Sequence, residues 1–203
     1  MVTTVAIIYA TTHGQTQRVA VRLAMALAGQ GLQAAAFHVR EVPDGIPQGY
    51  GGVILAASVH MGRHQREMVR FVRRHRASLQ ALPNAFVSVS LSQAGADNPR
   101  LRDTEREQHL LAVRAMMHRF VRRTRWDPLH MLPVAGALRY TQYGFLLRWM
   151  MQRIAIRAGH ATDTSRDREY TDWDALDRFA AAFAGELLTV VTSPDPSRVD
   201  ALP

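Results

Sequence analysis

With 203 residues, 47% of them hydrophobic, the chain is long enough for one well-packed domain, and its formal net charge is +8. It has no Cys, which excludes disulfides, thiolate-held iron–sulfur or zinc centres and a cysteine nucleophile, so any redox chemistry needs a bound cofactor. All 25 cationic side chains are Arg; with no Lys there is no Walker lysine and no Schiff base, while the positive balance points to nucleic acid, an anionic membrane surface or a carboxylate-bearing substrate.

The chain enters a strand-like run without a charged leader, and no stretch reaches the roughly 18 uninterrupted apolar residues of a spanning helix, so a cytoplasmic protein is expected. Val5–Ala10 ("VAIIYA") reads as a strand buried on both faces. Directly after it, "TTHGQT" (Thr11, Thr12, His13, Gly14, Gln15, Thr16) places hydroxyls around a glycine at the start of a helix. Free N–H groups and the helix dipole there suit a phosphate monoester; a ligand-free capped turn is the alternative. Helical spacing follows at Val19, Leu23 and Leu27. "GQGLQA" (Gly29–Ala34) has a dinucleotide-like glycine pattern but lies between a helix and a strand, the reverse of the required context, so it reads as a helix C-cap and turn.

A weaker strand at Leu32–His38 precedes a strong one at Gly52–Ser58, which ends in the small loop "ASVHMGRHQ" with Ser58, Val59, His60, Met61 and Gly62. His60 and His64 have i, i+4 spacing, yet Gly62 opposes a regular helix and no carboxylate lies near, so loop or surface histidines are expected rather than a metal pair. Met68, Val72 and Leu79 mark the next helix; Ala85–Leu91 is the fourth strand, followed by a loop over Ser88–Pro99 that contains Ser90, Leu91, Ser92, Gln93 and Ala94. Leu110, Val113, Met117 and Phe120 mark a further helix, and Leu132–Leu138 the fifth strand. The basic runs Arg70–Arg76 and Arg119–Arg125 sit on helices whose other faces are apolar, which favours solvated faces over nucleic-acid contacts. Alternating strands and helices predict an α/β fold with a five-stranded, doubly wound parallel sheet of order 2-1-3-4-5.

The stretch at residues 139–170 is far longer than the roughly 2–6 residues usual between such elements. Its centre, Phe145–Ile156, is apolar nearly all round; as a helix it sets Phe145, Trp149 and Ile156 on one strip and Leu147, Met151 and Ile154 almost opposite. Two apolar faces need two partners. A last helix is expected over Trp173–Leu188, capped by Thr171 or Asp172. The expectation is a single domain over residues 1–190, including the insertion, with a frayed tail at 191–203.

"THGQT", "ASVHMGRH", "FVSVSL", "VAGALRYTQY" (Val134–Tyr143), the arginine-and-aromatic insertion and "TDTSRDREYTDW" (Thr162–Trp173) together resemble the flavodoxin-like, menaquinone-dependent protoporphyrinogen IX dehydrogenases, over nearly the whole chain. The resemblance implies FMN as cofactor, protoporphyrinogen IX as electron donor and menaquinone or another respiratory quinone as acceptor, in haem biosynthesis. It carries the phosphate role to Thr11–Thr16 and the ring-binding role to Ser58–Gly62 and Ser90–Ala94, and nominates no catalytic acid or base, since the flavin supplies the chemistry. The family's third phosphate-loop position is often a hydroxyl residue; here it is His13, whose protonated ring would have to replace that contact. Arg139, Tyr140, Arg148, Trp149, Arg153 and Arg157 become candidates for contact with substrate propionates or lipid phosphates, with peripheral attachment to the inner face of the cell membrane. The alternative is an insertion packed between the sheet and a second subunit. Two other functions remain open: a flavodoxin-type electron carrier or NAD(P)H-fed quinone reductase, and a flavin-free binding protein on the same fold. A carrier fits a +8 chain poorly, because electron-carrier flavodoxins are commonly acidic.

Overall fold

Strands apolar on both faces alternate with helices apolar on one, and they assemble as that pattern requires. The computed structural model describes residues 3–138 and 168–192. In chain order the elements are β1 (Thr4–Ala10), α1 (Gln15–Gly29), β2 (Gln33–His38), β3 (Gly52–His60), β4 (Arg63–His64), α2 (Arg66–Arg74), α3 (Arg76–Gln80), β5 (Asn84–Ser90), α4 (Leu91–Ala96), α5 (Asp103–Thr124), β6 (His130–Ala135), β7 (Ala137–Leu138), β8 (Arg168–Glu169) and α6 (Trp173–Thr192). The expected insertion helix at Phe145–Ile156, with Arg139, Tyr140, Arg148, Trp149, Arg153 and Arg157, lies outside the described residues, as does the tail from residue 193.

The main sheet runs β2-β1-β3-β5-β6, all parallel, which is the expected doubly wound 2-1-3-4-5 order of its five parallel strands. Alternate residues of β1 feed two cores. Val5, Ile7 and Tyr9 meet Leu23 and Leu27 of α1 and Leu176, Phe183 and Leu187 of α6 on one side. Ala6, Ile8 and Ala10 share the other side with Met68 and Val72 of α2, Phe86, Phe120 and Trp126. This second layer is aromatic: Phe86 and Phe120 stack with centroids 4.1 Å apart, and Trp126 stands edge-on to both.

Several boundaries differ from the sequence pattern. β6 starts at His130 and ends at Ala135, where Gly136 packs against Val89 and Ser90 and donates its N–H to the Ser90 carbonyl at 3.0 Å. The chain then leaves the sheet, so Ala137 and Leu138 pair antiparallel with β8 instead of extending the fifth strand. The helix after β3 breaks at His75, whose Nε2 lies 3.1 Å from the Pro43 carbonyl oxygen. Part of the expected loop at Ser88–Pro99 is the short helix α4, capped by Ser90 Oγ, which accepts from the Gln93 N–H at 3.2 Å. The "GQGLQA" segment holds the end of α1, a turn with Gly31 at φ +82°, and the first two residues of β2. Asp172 caps α6, its Oδ1 accepting from the Ala175 N–H at 2.9 Å. Among the described residues no helix is long and apolar enough to cross a membrane.

Candidate functional site at the carboxyl edge

Parallel order sends every loop after a main-sheet strand to one edge, and the loops after β1, β3, β5 and β6 meet there around a shallow depression of about 70 Å³. At the β1 corner Gly14 sits at φ +79° just before α1, a conformation that favours glycine, and donates its N–H to Thr11 Oγ1 at 3.0 Å. A helix start leaves its first N–H groups without intrahelical partners, and α1 has no acidic residue in its first turn to compensate them. Thr16, fully buried in that turn, has no hydrogen-bond partner for its Oγ1. An orphaned buried hydroxyl costs roughly 1–3 kcal/mol. A phosphate oxygen beside the same helix start would satisfy it.

Two further contacts fix this corner. Gln15, also buried, donates through Nε2 to Glu169 Oε1 at 2.6 Å and to Thr171 Oγ1 at 2.9 Å, and Thr171 in turn donates to the Ala135 carbonyl at 2.7 Å. Arg18 pairs with Glu169 Oε1 at 2.8 Å and lies 5.6 Å from the centre of the Trp173 ring. On the opposite flank, Gln65 Nε2 donates to Thr12 Oγ1 and, at 3.0 Å, to Ser58 Oγ, tying the β1 loop to the end of β3.

Of the residues singled out in sequence, Thr11, Thr12, His13, Gln15, Thr16, Ser58, Val59, His60, Ser90 and Leu91 line the depression. The His13 and His60 rings meet edge to face at 6.4 Å. Gly14 shapes the loop without lining the depression. Met61 and Gly62 form the two-residue turn of a β3–β4 hairpin, both at positive φ (49° and 72°), as a mirror-image hairpin turn requires. Gln93 and Ala94 are buried within α4, where Gln93 Nε2 donates to Asp97 Oδ1 at 2.8 Å, and neither they nor Ser92 reach the depression.

His64 is a correction. Expected as a loop or surface residue, it is 94% buried by its 6% relative exposure, because pairing with β3 turns its ring inward. Its Nε2 lies 2.8 Å from Ser88 Oγ, against Phe86 and Phe120, and burial draws its pKa down to about 4. His60 stays exposed, so the two do not face one another as a pair. Among the described residues no group of three or more His, Asp or Glu is placed to hold a metal.

Val89, Gly136 and Ala137 also line the depression, and Gln65, Glu169 and Thr171 brace it; none of them carried an individual site assignment from the sequence, where Thr171 stood only as a candidate helix cap. Glu169 and Thr171 lie in the quoted "REYTDW" but carry no local signal of a bond to Gln15.

A family model described as a flavodoxin domain matches residues 6–165. The chain is 31% identical over 178 residues to the protoporphyrinogen IX dehydrogenase [quinone] of Escherichia coli K12, covering 88% of this chain and 93% of that one. It is 30% identical over 196 residues to the protein of the same name from Leishmania major, covering 95% and 80%. This chain belongs to the flavodoxin-like protoporphyrinogen IX dehydrogenase family. Solved structures agree on the fold: oxidised flavodoxin 1 from Bacillus cereus superposes with a TM-score of 0.51 at 14% identity, covering 90% of this chain and 98% of that one. Rubredoxin oxygen:oxidoreductase from Desulfovibrio gigas gives 0.50 at 12%, covering 94% and 37%. A protein of this family is a flavin-dependent oxidoreductase with FMN as cofactor, and the orphaned Thr16 hydroxyl beside the bare start of α1 fits the phosphate end of that group.

Proposed function

We propose that the protein oxidises protoporphyrinogen IX to protoporphyrin IX and delivers the electrons to menaquinone or another respiratory quinone, in haem biosynthesis. The observation that carries this reading is the likeness, over 88% of the chain, to relatives named for that reaction, and the phosphate corner supports it. Thr11, Thr12, Gly14 and Thr16, with the first N–H groups of α1, would hold the FMN phosphate. Ser58, Val59, His60, Ser90, Leu91 and Gly136 would border the ring. When bound, the flavin supplies two-electron transfer from donor to quinone. The chain's own part is to place donor and acceptor and keep them apart from bulk water, and no side chain is assigned as acid or base. Arg139, Tyr140, Arg148, Trp149, Arg153 and Arg157 would serve the apolar substrates or a peripheral contact with the anionic membrane surface, with residues 1–190 acting as one domain.

The purified protein should be yellow or take up FMN. Under anaerobic conditions protoporphyrinogen should bleach the flavin absorbance and menaquinone should restore it. Bleaching by NADPH alone would favour a nicotinamide-fed quinone reductase, and a colourless protein that refuses FMN would sink both enzymatic readings.

A further inference from the structure

Next to the depression, and sharing Thr11, Thr12 and His60 with it, lies a second hollow of about 900 Å³. Arg63 of β4, Arg66 and Arg70 of α2 and Arg123 near the end of α5 line it, and none of these four side chains has a hydrogen-bond or ion-pair partner among the described residues. The single carboxylate in the wall, Glu67, is already engaged by Arg40 at 2.7 Å and by His38 at 3.7 Å. Arg119 Nη1 donates to the Gly62 carbonyl at 3.2 Å and so joins α5 to the hairpin turn that forms the rim. Met61, 78% exposed, offers an apolar contact at that rim.

Two basic runs far apart in sequence therefore contribute one arginine each, Arg70 and Arg123, to the same concavity, which a purely solvated helix face does not require. Gathering like charges without counter-charges is self-repulsive, and the field inside such a concavity draws in anions. Planar guanidinium groups match carboxylates in pairs of hydrogen bonds. The volume lies within the roughly 300–1,000 Å³ usual for small-molecule sites, whereas the depression alone falls far short.

We propose that this arginine-lined hollow is the carboxylate-anchoring subsite of the electron donor. It takes the acidic side chains of a large tetrapyrrole while the macrocycle lies over the Thr11–Thr12 and His60 edge. A quinone carries no charge and gains nothing from it, so the hollow distinguishes donor from acceptor. This inference rests on the proposed reaction.

The test compares two triple variants of equal charge: Arg66→Gln/Arg70→Gln/Arg123→Gln in the hollow and Arg73→Gln/Arg74→Gln/Arg76→Gln outside it. All six side chains are exposed, so neither triple removes a core contact. Binding of mesoporphyrin IX, a redox-inert dicarboxylate, to the FMN-loaded protein should weaken roughly tenfold or more in the hollow variant and less than about twofold in the control, given the strength of charge-assisted hydrogen bonds. The dimethyl ester should be insensitive to both triples, and the KM for the quinone should be unchanged. Equal losses in the two variants, or ester binding that falls in parallel, would overturn the proposal. So would a hollow variant that loses only its binding to phosphatidylglycerol vesicles, because the arginines would then serve lipid. A wild type that binds mesoporphyrin through these arginines but does not oxidise protoporphyrinogen would fail the functional reading and leave the subsite standing. Normal turnover with an unchanged donor KM in the hollow variant would do the reverse.

Discussion

At the β1–α1 corner the side chains of Gln15, Arg18, Gln65 and Thr171 all find partners within the protein, while at the neighbouring hairpin corner the side chains of Arg63, Arg66, Arg70 and Arg123 find none among the described residues. The first corner holds its polar groups in fixed positions and leaves one buried hydroxyl, Thr16 Oγ1, unanswered. The second leaves its charges in water on β4, α2 and α5 around a turn with a non-glycine residue at positive φ, and the polar group it takes inside, His64, is kept neutral. Fixed donors around a single gap suit a ligand that stays. Solvated charges around an open hollow suit one that arrives by electrostatic attraction and leaves again.

The largest expected effect breaks the hairpin side of this contrast. Unfolded, His64 takes up a proton near its ordinary 6.5; folded, only near 4. Between those values the unfolded chain binds more protons, so stability should fall as pH drops from about 6.5 to about 4, by about 3 kcal/mol. A His64→Phe/Ser88→Ala double variant, which also removes the hydroxyl left without its partner, should lose most of that slope in urea titrations across the range. A slope equal to wild type would mean that His64 is not held neutral.

Thr16→Val tests the other corner, with two readouts of opposite sign. Without its unsatisfied hydroxyl the FMN-free protein should be more stable by about 1 kcal/mol, whereas FMN should bind roughly 30-fold more weakly, since a hydrogen bond to a charged group is worth about 1.5–3 kcal/mol. Thermal melts of the apoprotein and flavin fluorescence titrations measure the two. Destabilised apoprotein with unchanged FMN affinity would show that the hydroxyl faces something other than phosphate.

The smallest effect concerns the turn itself. Met61→Asn places Asn-Gly, the residues this hairpin geometry favours, where Met61 now holds φ 49°, and should add about 0.5 kcal/mol. A decrease in melting temperature would show that Met61 makes a contact worth more than its backbone strain.

What was legible in sequence followed from local causes. "VAIIYA" reads as a buried strand because burial on both faces writes an unbroken apolar run, and Thr171 or Asp172 reads as a cap because the helix begins beside them, Asp172 being the one that accepts from the helix. β4 escaped because two residues carry no period, and with it went the inward turn of His64 and the bridging role of Gln65. The i, i+4 spacing of His60 and His64 drew attention to a helix-like relation that a hairpin does not have. Glu169 escaped because its partner Gln15 is 154 positions away, and no local pattern reports contacts at that range. The two clusters of arginine were visible, but their convergence on one hollow depends on how α2 and α5 sit beside the hairpin.

The ladder of Ala137 with Glu169 and Leu138 with Arg168 sets the two ends of residues 139–167 side by side on the rim of the sheet. A segment inserted at such a stem imposes no register on the five parallel strands, so the scaffold beneath sets no limit on its length. The stem is also a splice point. Joining residue 138 to 168 through a two-residue turn would yield a short hairpin still bolted to α1 by Gln15 and Glu169, and other sequences transplanted onto the same two anchors would start beside the depression that Gly136 and Ala137 line.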